Sequence, residues 1–358
     1  MRRWRLSRVA WIILSALDDS VIRLRTICLA WFLCGAVTPL SAAPLFEDHT
    51  PLEIELTGPL SSLIENKEDR EERSFRLRIG ALELDVQVRA RGNSRMRVCG
   101  FPPLRFNFEH ADTAGTPFEG QTRLKLVTRC KKSDRYETDV LEEYAAYQIF
   151  SLLSDVSFRT RLVHLTYKDT DGRLPEAYRS SYGFLIEPLD QLVSRVDGSL
   201  SGLNGISLRQ LDKRQAALVY VFQYLIANTD WSFVTAENDR YCCHNIELVK
   251  LGNMHFPVPY DFDLAGIVNA AYARPDPSLK IRKVTKRVYR GFCTETDYLR
   301  GALRGFMAGE EDILAVIAGL PLLEEREKEN RIEYLQGFFD KARDEDEMIA
   351  MFEKRCHP

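Results

Sequence analysis

The sequence predicts an α+β protein with a β-rich N-terminal lobe and a helix-rich C-terminal lobe. Between residues 52 and 130, short runs such as LELDVQVR (82–89) place an apolar side chain at every second position, the period of a half-buried strand. After Thr294 the apolar residues follow helical spacing, and the charged runs between them are typical of solvated helix faces. We therefore divide the chain into a leader, a β-rich lobe and a helical lobe, with the bounds 1–43, 44–190 and 191–358.

The elements are predicted in chain order. SFRLRI and LELDVQVR, joined through Gly80 and Ala81, predict a hairpin, and LRFNF and RLKLV extend its sheet. A helix is predicted to begin at Asp139, which forms an N-cap pair with Glu142, and RLVHLTY and YGFLIE return to the sheet. In the C-terminal half, KRQAALVYVFQYLIANTD is apolar nearly all round, which predicts a central helix, and HNIELVKL and MHFPV form a hairpin around Gly252.

Composition and motifs exclude several function classes. The 358 residues carry a net charge of -3, and no basic stripe is interleaved with aromatic residues, so the sequence does not indicate a nucleic-acid partner. The chain contains no Walker sequence, no nucleophile elbow and no HExxH motif. The apolar and charged fractions, 45% and 28%, are those of an ordinary globular protein, which excludes disordered and collagen-like classes.

The N-terminal segment has the pattern of a secretory signal. Arg23 and Arg25 precede an apolar run from Ile27 to Val37, and small residues follow at 41–43. The run is shorter than the roughly 20 residues that a membrane span needs. We expect export to the periplasm or the cell exterior. The alternative is an uncleaved anchor, which would attach the protein to a membrane through this segment only.

Cysteine usage agrees with export. Eight cysteines are present, of which six lie beyond the leader, and an even number in an exported chain indicates disulfides. Cys99 and Cys130 are a plausible pair because each follows a predicted strand of one sheet. The run CCH at 242–244 lacks the spacing of a zinc knuckle.

The acids in PVPYDFDLAG (257–266) are the strongest chemical signal. Asp261 and Asp263 end a predicted strand, and folding the hairpin back brings Asn245 beside Asp261 at its open end. Two oxygen ligands at one place suit a hard cation such as Mg²⁺. Asp230, in ANTDW, follows the apolar helix and is free to orient a hydroxyl or accept its proton. These are the components of metal-assisted phosphoryl transfer.

Several short motifs, taken in their order along the chain, carry a family resemblance. They are RGNS at 91–94, the leucine–lysine–leucine strand before a helix, YGFLIE, NTDW, HN and PYDFD. Together these motifs resemble those of the spore-coat CotH-like atypical protein kinases over roughly residues 80 to 270. The resemblance implies a two-lobed protein-kinase-like fold that uses ATP and Mg²⁺ to phosphorylate a protein acceptor. It implies Asp230 as the catalytic acid residue, and Asn245 and Asp261 as metal ligands.

The phosphate contacts depart from the pattern of that family. Pro102 and Pro103 occupy the places where a Lys pair is usual, and Arg105 is the nearest cation. This change favours a second interpretation, a pseudokinase-like binding module of the cell envelope that has lost its chemistry.

Arg91 and Lys125 are the candidates for the phosphate contacts, with Glu143 as the partner of Lys125. Simpler alternatives stay open for several positions. RGNS can be only a turn, Asp261 can close a strand as an Asx-turn, and Lys125 with its acid can be a surface pair. Asp263 is either a second metal ligand or a helix cap.

Overall fold

A closed barrel of seven strands forms the N-terminal half in the computed structural model, which describes residues 44–203, 205–233 and 242–358. The strands are β1 (Leu52–Gly58), β2 (Arg73–Ile79), β3 (Leu82–Ala90), β4 (Leu104–Asn107), β5 (Arg123–Val127), β6 (Thr160–Asp169) and β7 (Ser180–Ile186). Their order around the barrel is β1-β2-β3-β4-β5-β7-β6, and β6 returns to pair with β1 in parallel. All other neighbouring pairs are antiparallel.

The alternation seen in the sequence decides which side chains fill the barrel. In β3, Leu84, Val86 and Val88 are buried in its interior, whereas Glu83 and Asp85 are exposed. Gly183 in β7 allows a close approach to β5, since a Cβ there would lie 2.7 Å from the backbone oxygen of Val127. The predicted α+β class is confirmed. The predicted sheet closes into a barrel because β1 covers the edge of β6, a pairing that local periodicity does not encode.

One long helix packs against β6 and β7 of the barrel, and most of the other helices build the C-terminal half. Their bounds are α1 (Leu60–Glu65), α2 (Ser94–Val98), α3 (Arg135–Leu153), α4 (Leu189–Arg195), α5 (Lys213–Leu225), α6 (Thr296–Ala308), α7 (Glu310–Ala318), α8 (Glu325–Ala342) and α9 (Glu345–Arg355). The predicted start of α3 at Asp139 is wrong. The helix begins one turn earlier, and Asp139 forms an i,i+4 ion pair with Arg135, Nε to Oδ1 at 3.0 Å.

The predicted hairpin is present, with one short strand added to it. β9 (Ile246–Leu251) pairs with β10 (Met254–Pro259) and with β8 (Ser199–Leu200), in the order β10-β9-β8. The turn between β9 and β10 contains Gly252 with a φ of 58°, a conformation that glycine adopts without steric cost. The hairpin therefore presents its open end, where β9 begins and β10 ends, to the rest of the chain.

Two apolar cores lie within a single compact unit of the described residues. One core fills the barrel. The other joins α3 and α5 to α9 with the side chains on the outer face of β7, including Phe184 and Ile186. The division of the chain at residue 190 stays a prediction.

The six cysteines among the described residues pair with one another. Cys99 is bonded to Cys130, as predicted, Cys293 to Cys356, and Cys242 to its neighbour Cys243. These bonds are compatible with an oxidising, exported environment. Among the helices of the described residues, none has the length and apolar character to cross a membrane. The proposed leader at 1–43 lies outside the described residues.

Candidate functional site

The open end of the hairpin brings the backbones of Asn245 and Asp261 together, as the sequence predicts. Ile246 pairs with Pro259, and one step beyond that pair the Tyr260 N–H donates to the Asn245 carbonyl at 3.1 Å. Asn245 and Asp261 both have positive φ, 53° and 61°, which Asn and Asp tolerate better than other side chains. The regular ladder of the hairpin therefore ends at the Ile246–Pro259 pair.

Asn245 also fixes Asp230, a contact that the sequence did not indicate. The Asn245 side-chain N–H₂ donates to the Asp230 backbone oxygen at 2.7 Å and to its Oδ2 at 2.9 Å. His244 Nε2 lies 2.9 Å from Oδ1 of the same carboxylate. Consecutive residues of the hairpin therefore orient Asp230. Because the Asn245 nitrogen is used in this way, its amide oxygen is the atom left for a cation.

The end of α5 places Asp230 next to residues 261–263, which contain Asp261 and Asp263 and which we call the acidic segment. The Asp230 N–H donates to Oδ1 of buried Asn228 at 2.9 Å, and Gly266 donates to the backbone oxygen of Ala227 at 3.1 Å. A Cβ on Gly266 would lie 2.7 Å from both the Ala227 Cβ and the Val284 backbone oxygen. Gly266 therefore permits the chain that follows Asp263 to pack directly against the end of α5.

Arg95 is the organising residue that sequence reasoning missed. It is buried in α2, its Nη2 pairs with Glu143 on α3, and its Nε donates to Asp263 Oδ2 at 2.8 Å. The carboxylate of Asp261 lies 4.0 Å from the same Nη2. Three carboxyl groups therefore surround one guanidinium. The available signal was an arginine four positions after Arg91, in a helix that ends at the disulfide-bonded Cys99.

The predicted pairing of Glu143 with Lys125 is wrong. Glu143 faces Arg95, while the Lys125 ammonium lies 5.7 Å from the centroid of the Tyr260 ring. The reason is geometric, since Arg95 reaches Glu143 from the short helix α2, which local sequence patterns do not place beside α3. Within the described residues, Lys125 and Arg91 have no carboxylate within the 4.0 Å of an ion pair.

One cavity nevertheless brings most of the predicted residues together. Its volume is about 60 Å³, and Arg91, Lys125, Glu143 and Asp261 line it. Apolar residues, among them Val127, Phe158 and Ile186, complete its wall. Asn245 and Asp263 are buried outside this lining, and Asp230 lies in a second recess of about 410 Å³ with Arg274 and Arg290.

The wall of the first cavity carries cationic side chains on one side and carboxyl groups on the other. Burial lowers the pKa of Arg91 against the attraction of Asp261. Burial also lowers the pKa of Lys125, and repulsion from Arg91 adds to this effect. On the other side, burial raises the pKa of Glu143, with repulsion from Asp263 and Asp261 adding to it against the attraction of Arg95. The cavity therefore sets cations without ion-pair partners opposite an excess of carboxyl groups.

Asp261 is the acid that opens into the cavity. Its side chain is 49% exposed, and the exposed part faces the water of a recess. Desolvation raises its pKa to about 6, and repulsion from Asp263 is the next largest cause. Oδ2 of Asp263 already accepts from Arg95 and, at 3.0 Å, from the Tyr272 hydroxyl. Asp261 is thus better placed than Asp263 to meet a ligand.

The donor atoms at the hairpin end fit a hard cation. Asp261 offers a carboxylate, Asn245 offers an amide oxygen, and the surrounding carboxyl groups outnumber the guanidinium between them. Mg²⁺ is commonly held by one or two protein groups together with substrate phosphates. Across the described part of the chain, no group of three or more His, Cys, Asp or Glu side chains is arranged to hold a metal ion. The metal site therefore stays a prediction.

Comparison with known proteins gives a distant structural likeness. No family model and no curated protein matches the chain. Among solved structures, the chain is similar to a Helicobacter pylori proinflammatory kinase, CtkA, with 12% identity and a TM-score of 0.36. The match covers 74% of this chain and 95% of that one. A likeness at this level carries no inference about function.

Proposed function

We propose that the chain is an exported, CotH-like phosphotransferase with a two-lobed protein-kinase-like design. It moves the terminal phosphoryl group of ATP to a hydroxyl of a protein acceptor, with Mg²⁺ as cofactor. The observation that supports this proposal is the composition of the cavity wall, where Arg91 and Lys125 without ion-pair partners lie opposite Asp261 and its neighbouring carboxyl groups. An anion and a cation bound side by side, as in a magnesium nucleotide, would neutralise both sides of the wall.

Each residue has a distinct part in the proposed reaction. Arg91 and Lys125 hold the phosphates, while Asp261 and the amide oxygen of Asn245 hold Mg²⁺. When bound, the ion neutralises phosphate charge in the transition state. Asp230, oriented by Asn245, accepts a hydrogen bond from the acceptor hydroxyl. The hydroxyl oxygen forms a bond to the terminal phosphorus, the bond to the bridging oxygen breaks, ADP leaves, and Asp230 receives the hydroxyl proton.

Arg95 and Glu143 support this arrangement by fixing the acids to the neighbouring helices. Arg95 holds Asp263 and Glu143 together, and Tyr147, one turn after Glu143 on α3, accepts a hydrogen bond from the Asp261 N–H at 2.9 Å. The acid that faces the cavity is therefore tied to α3 through its backbone.

One observation favours the alternative, a binding module without chemistry. Pro103 lines the cavity at a place where the CotH-like pattern has a lysine. The cleft would then bind a ligand or partner and transfer nothing.

Thermal unfolding of the full chain with ATP and Mg²⁺ tests the proposal. We expect millimolar Mg·ATP to raise the melting temperature, because a ligand that binds only the folded state at about 100 times its Kd adds about 2.7 kcal/mol. Asp261→Asn should abolish the shift, whereas Asp85→Asn, the same change on an exposed strand position, should retain it. The absence of any shift with the wild-type chain would contradict nucleotide binding.

A further inference from the structure

The outer face of the barrel carries a row of cations that the cavity only partly uses. Arg89 on β3 pairs directly with Arg105 on β4, and Arg105 pairs directly with Lys125 on β5. The residues that flank them along the strands, including Val88 and Leu124, are buried inside the barrel, so all three side chains point outward. We call Arg89, Arg105 and Lys125 the cationic row.

Such a row is unfavourable in the absence of a ligand. Like charges placed directly opposite each other on neighbouring strands destabilise a sheet. Desolvation lowers the pKa of Arg105, and repulsion from Arg89, Arg91 and Arg123 lowers it further. Among the residues that the structure describes, no carboxylate lies within ion-pair distance, 4.0 Å, of any member of the row.

The nearest described acids form no ion pair with the row. The charge of Glu72 raises the pKa of Arg105. Both oxygens of Glu72, however, accept hydrogen bonds from the Asn107 side chain, at 3.1 and 3.0 Å. Glu247 acts on Lys125, and burial raises the pKa of this acid. By contrast, Arg123 on the same face of β5 is paired with Glu109 at 3.1 Å.

The row is continuous with the cavity. Lys125 belongs to both, and Arg91, which lies two positions beyond Arg89, lines the cavity as well. A path of positive charge therefore leads from the cavity beside Asp261 across two strand spacings, about 10 Å, to Arg89.

We propose that Arg105 and Arg89, together with Lys125, form a binding site for a linear phosphate chain that extends out of the cavity. Linked phosphates carry charge at every unit, and guanidinium groups bind their oxygens through paired hydrogen bonds. An acidic peptide fits the row less well, because side chains on one face of an extended strand repeat at about 6.8 Å, whereas the cations repeat at about 4.8 Å. Inorganic polyphosphate and the phosphate tail of a nucleotide share the required chemistry.

This inference does not depend on phosphoryl transfer, and it can be tested without it. Binding of sodium tripolyphosphate to the full chain, in the absence of Mg²⁺, is measured by calorimetry. We expect Arg105→Gln and Arg89→Gln each to weaken binding about tenfold, the loss of a charge-assisted contact. Arg105→Lys should bind with an affinity between those of the wild type and Arg105→Gln, since it keeps the charge but loses the paired hydrogen bonds. Arg123→Gln removes the same charge from the same face and should change the Kd less than twofold, because that arginine is already paired.

A second arm repeats the titration with Mg·ATP and identifies the source of the chain. If Arg105→Gln and Arg89→Gln weaken the binding of tripolyphosphate alone, the row binds a free phosphate chain. If they weaken the binding of both tripolyphosphate and Mg·ATP, the row binds the phosphate tails of nucleotides as well. Ligand-free Arg105→Gln should melt at or above the wild-type temperature, because the substitution removes repulsion, so lost binding is separated from lost folding. Unchanged tripolyphosphate binding in Arg105→Gln, or an equal loss in Arg123→Gln, would overturn the inference. Asp261→Asn should leave tripolyphosphate binding intact, so a failure of the proposed kinase function is distinguishable.

Discussion

Arg95 and Asp263, 168 positions apart in the sequence, are joined by a hydrogen bond of 2.8 Å between Nε and Oδ2. The same guanidinium pairs with Glu143. Through these contacts the short helix that follows β3 is fixed to α3 and to the acidic segment after β10. Asp261 and Arg91 consequently face one cavity, which Arg95 also lines.

Removing Arg95 should therefore be costly. Arg95→Ala leaves two buried carboxyl groups without their partner, which typically costs about 3 to 5 kcal/mol of the free energy of unfolding. Urea unfolding at pH 7 measures the change. Arg97→Ala, an exposed arginine of the same helix, is the matched control and should change stability by less than about 0.5 kcal/mol. Similar losses for the two variants would show that Arg95 has no special role.

Asp230 should be required for transfer but not for nucleotide binding. In Asp230→Asn, the amide cannot take up the acceptor proton, so incorporation of radioactive phosphate from labelled ATP should fall by at least about 100-fold. The thermal shift with Mg·ATP should remain. Asp276→Asn, an acid of the same recess, serves as the control and should retain labelling. Undiminished labelling in Asp230→Asn would remove this residue from the proposed mechanism.

Local sequence patterns predicted the strands and the hairpin, but they did not predict the contacts between residues that are distant in the sequence. The period of two in β3 and the Gly252 turn were visible because each depends on a few consecutive residues. Closure of the barrel depends on β1 meeting β6, where Leu52 pairs with Val163. Asp230 and Asp261 were identified from the sequence as candidate reactive groups. The contacts of Arg95 and Asn245 were not, because they form only when separate elements pack together. Isolated sequence motifs thus identify reactive groups better than they identify the partners of those groups.

Gly266 should be intolerant of even a methyl group. Gly266→Ala places its Cβ 2.7 Å from the Ala227 Cβ and 2.8 Å from the Tyr334 hydroxyl oxygen, and such overpacking typically costs about 1 to 3 kcal/mol. Gly301→Ala, in α6 with no atom within 4 Å of the new Cβ, should instead stabilise the protein by up to about 1 kcal/mol through helix propensity. Urea unfolding of both variants measures these opposite signs. A neutral Gly266→Ala would contradict the tight packing of the acidic segment against α5.

The disulfides should be detectable in protein purified without reducing agent. Mass spectrometry of a non-reduced digest is expected to find peptides linked through Cys99 and Cys130, and through Cys293 and Cys356. Cys293→Ser should lower the free energy of unfolding by about 2 to 4 kcal/mol, since the bond closes a long loop with a separation of 63 positions. Finding these four cysteines as free thiols would argue against the proposed export.

Glu142 should give the stability a distinct dependence on pH. Burial raises its pKa from 4.5 to about 7, against the attraction of Arg331 and Arg135. Since the folded state holds this proton more tightly than the unfolded state, the stabilising contribution is complete below pH 4.5 and is lost as the pH rises to about 7. Glu142→Gln should therefore reduce the fall in unfolding free energy between pH 5 and pH 8 by about 2 to 3 kcal/mol. Glu311→Gln, an exposed acid on α7, should leave that fall unchanged, and equal pH profiles for the wild type and Glu142→Gln would contradict the assignment.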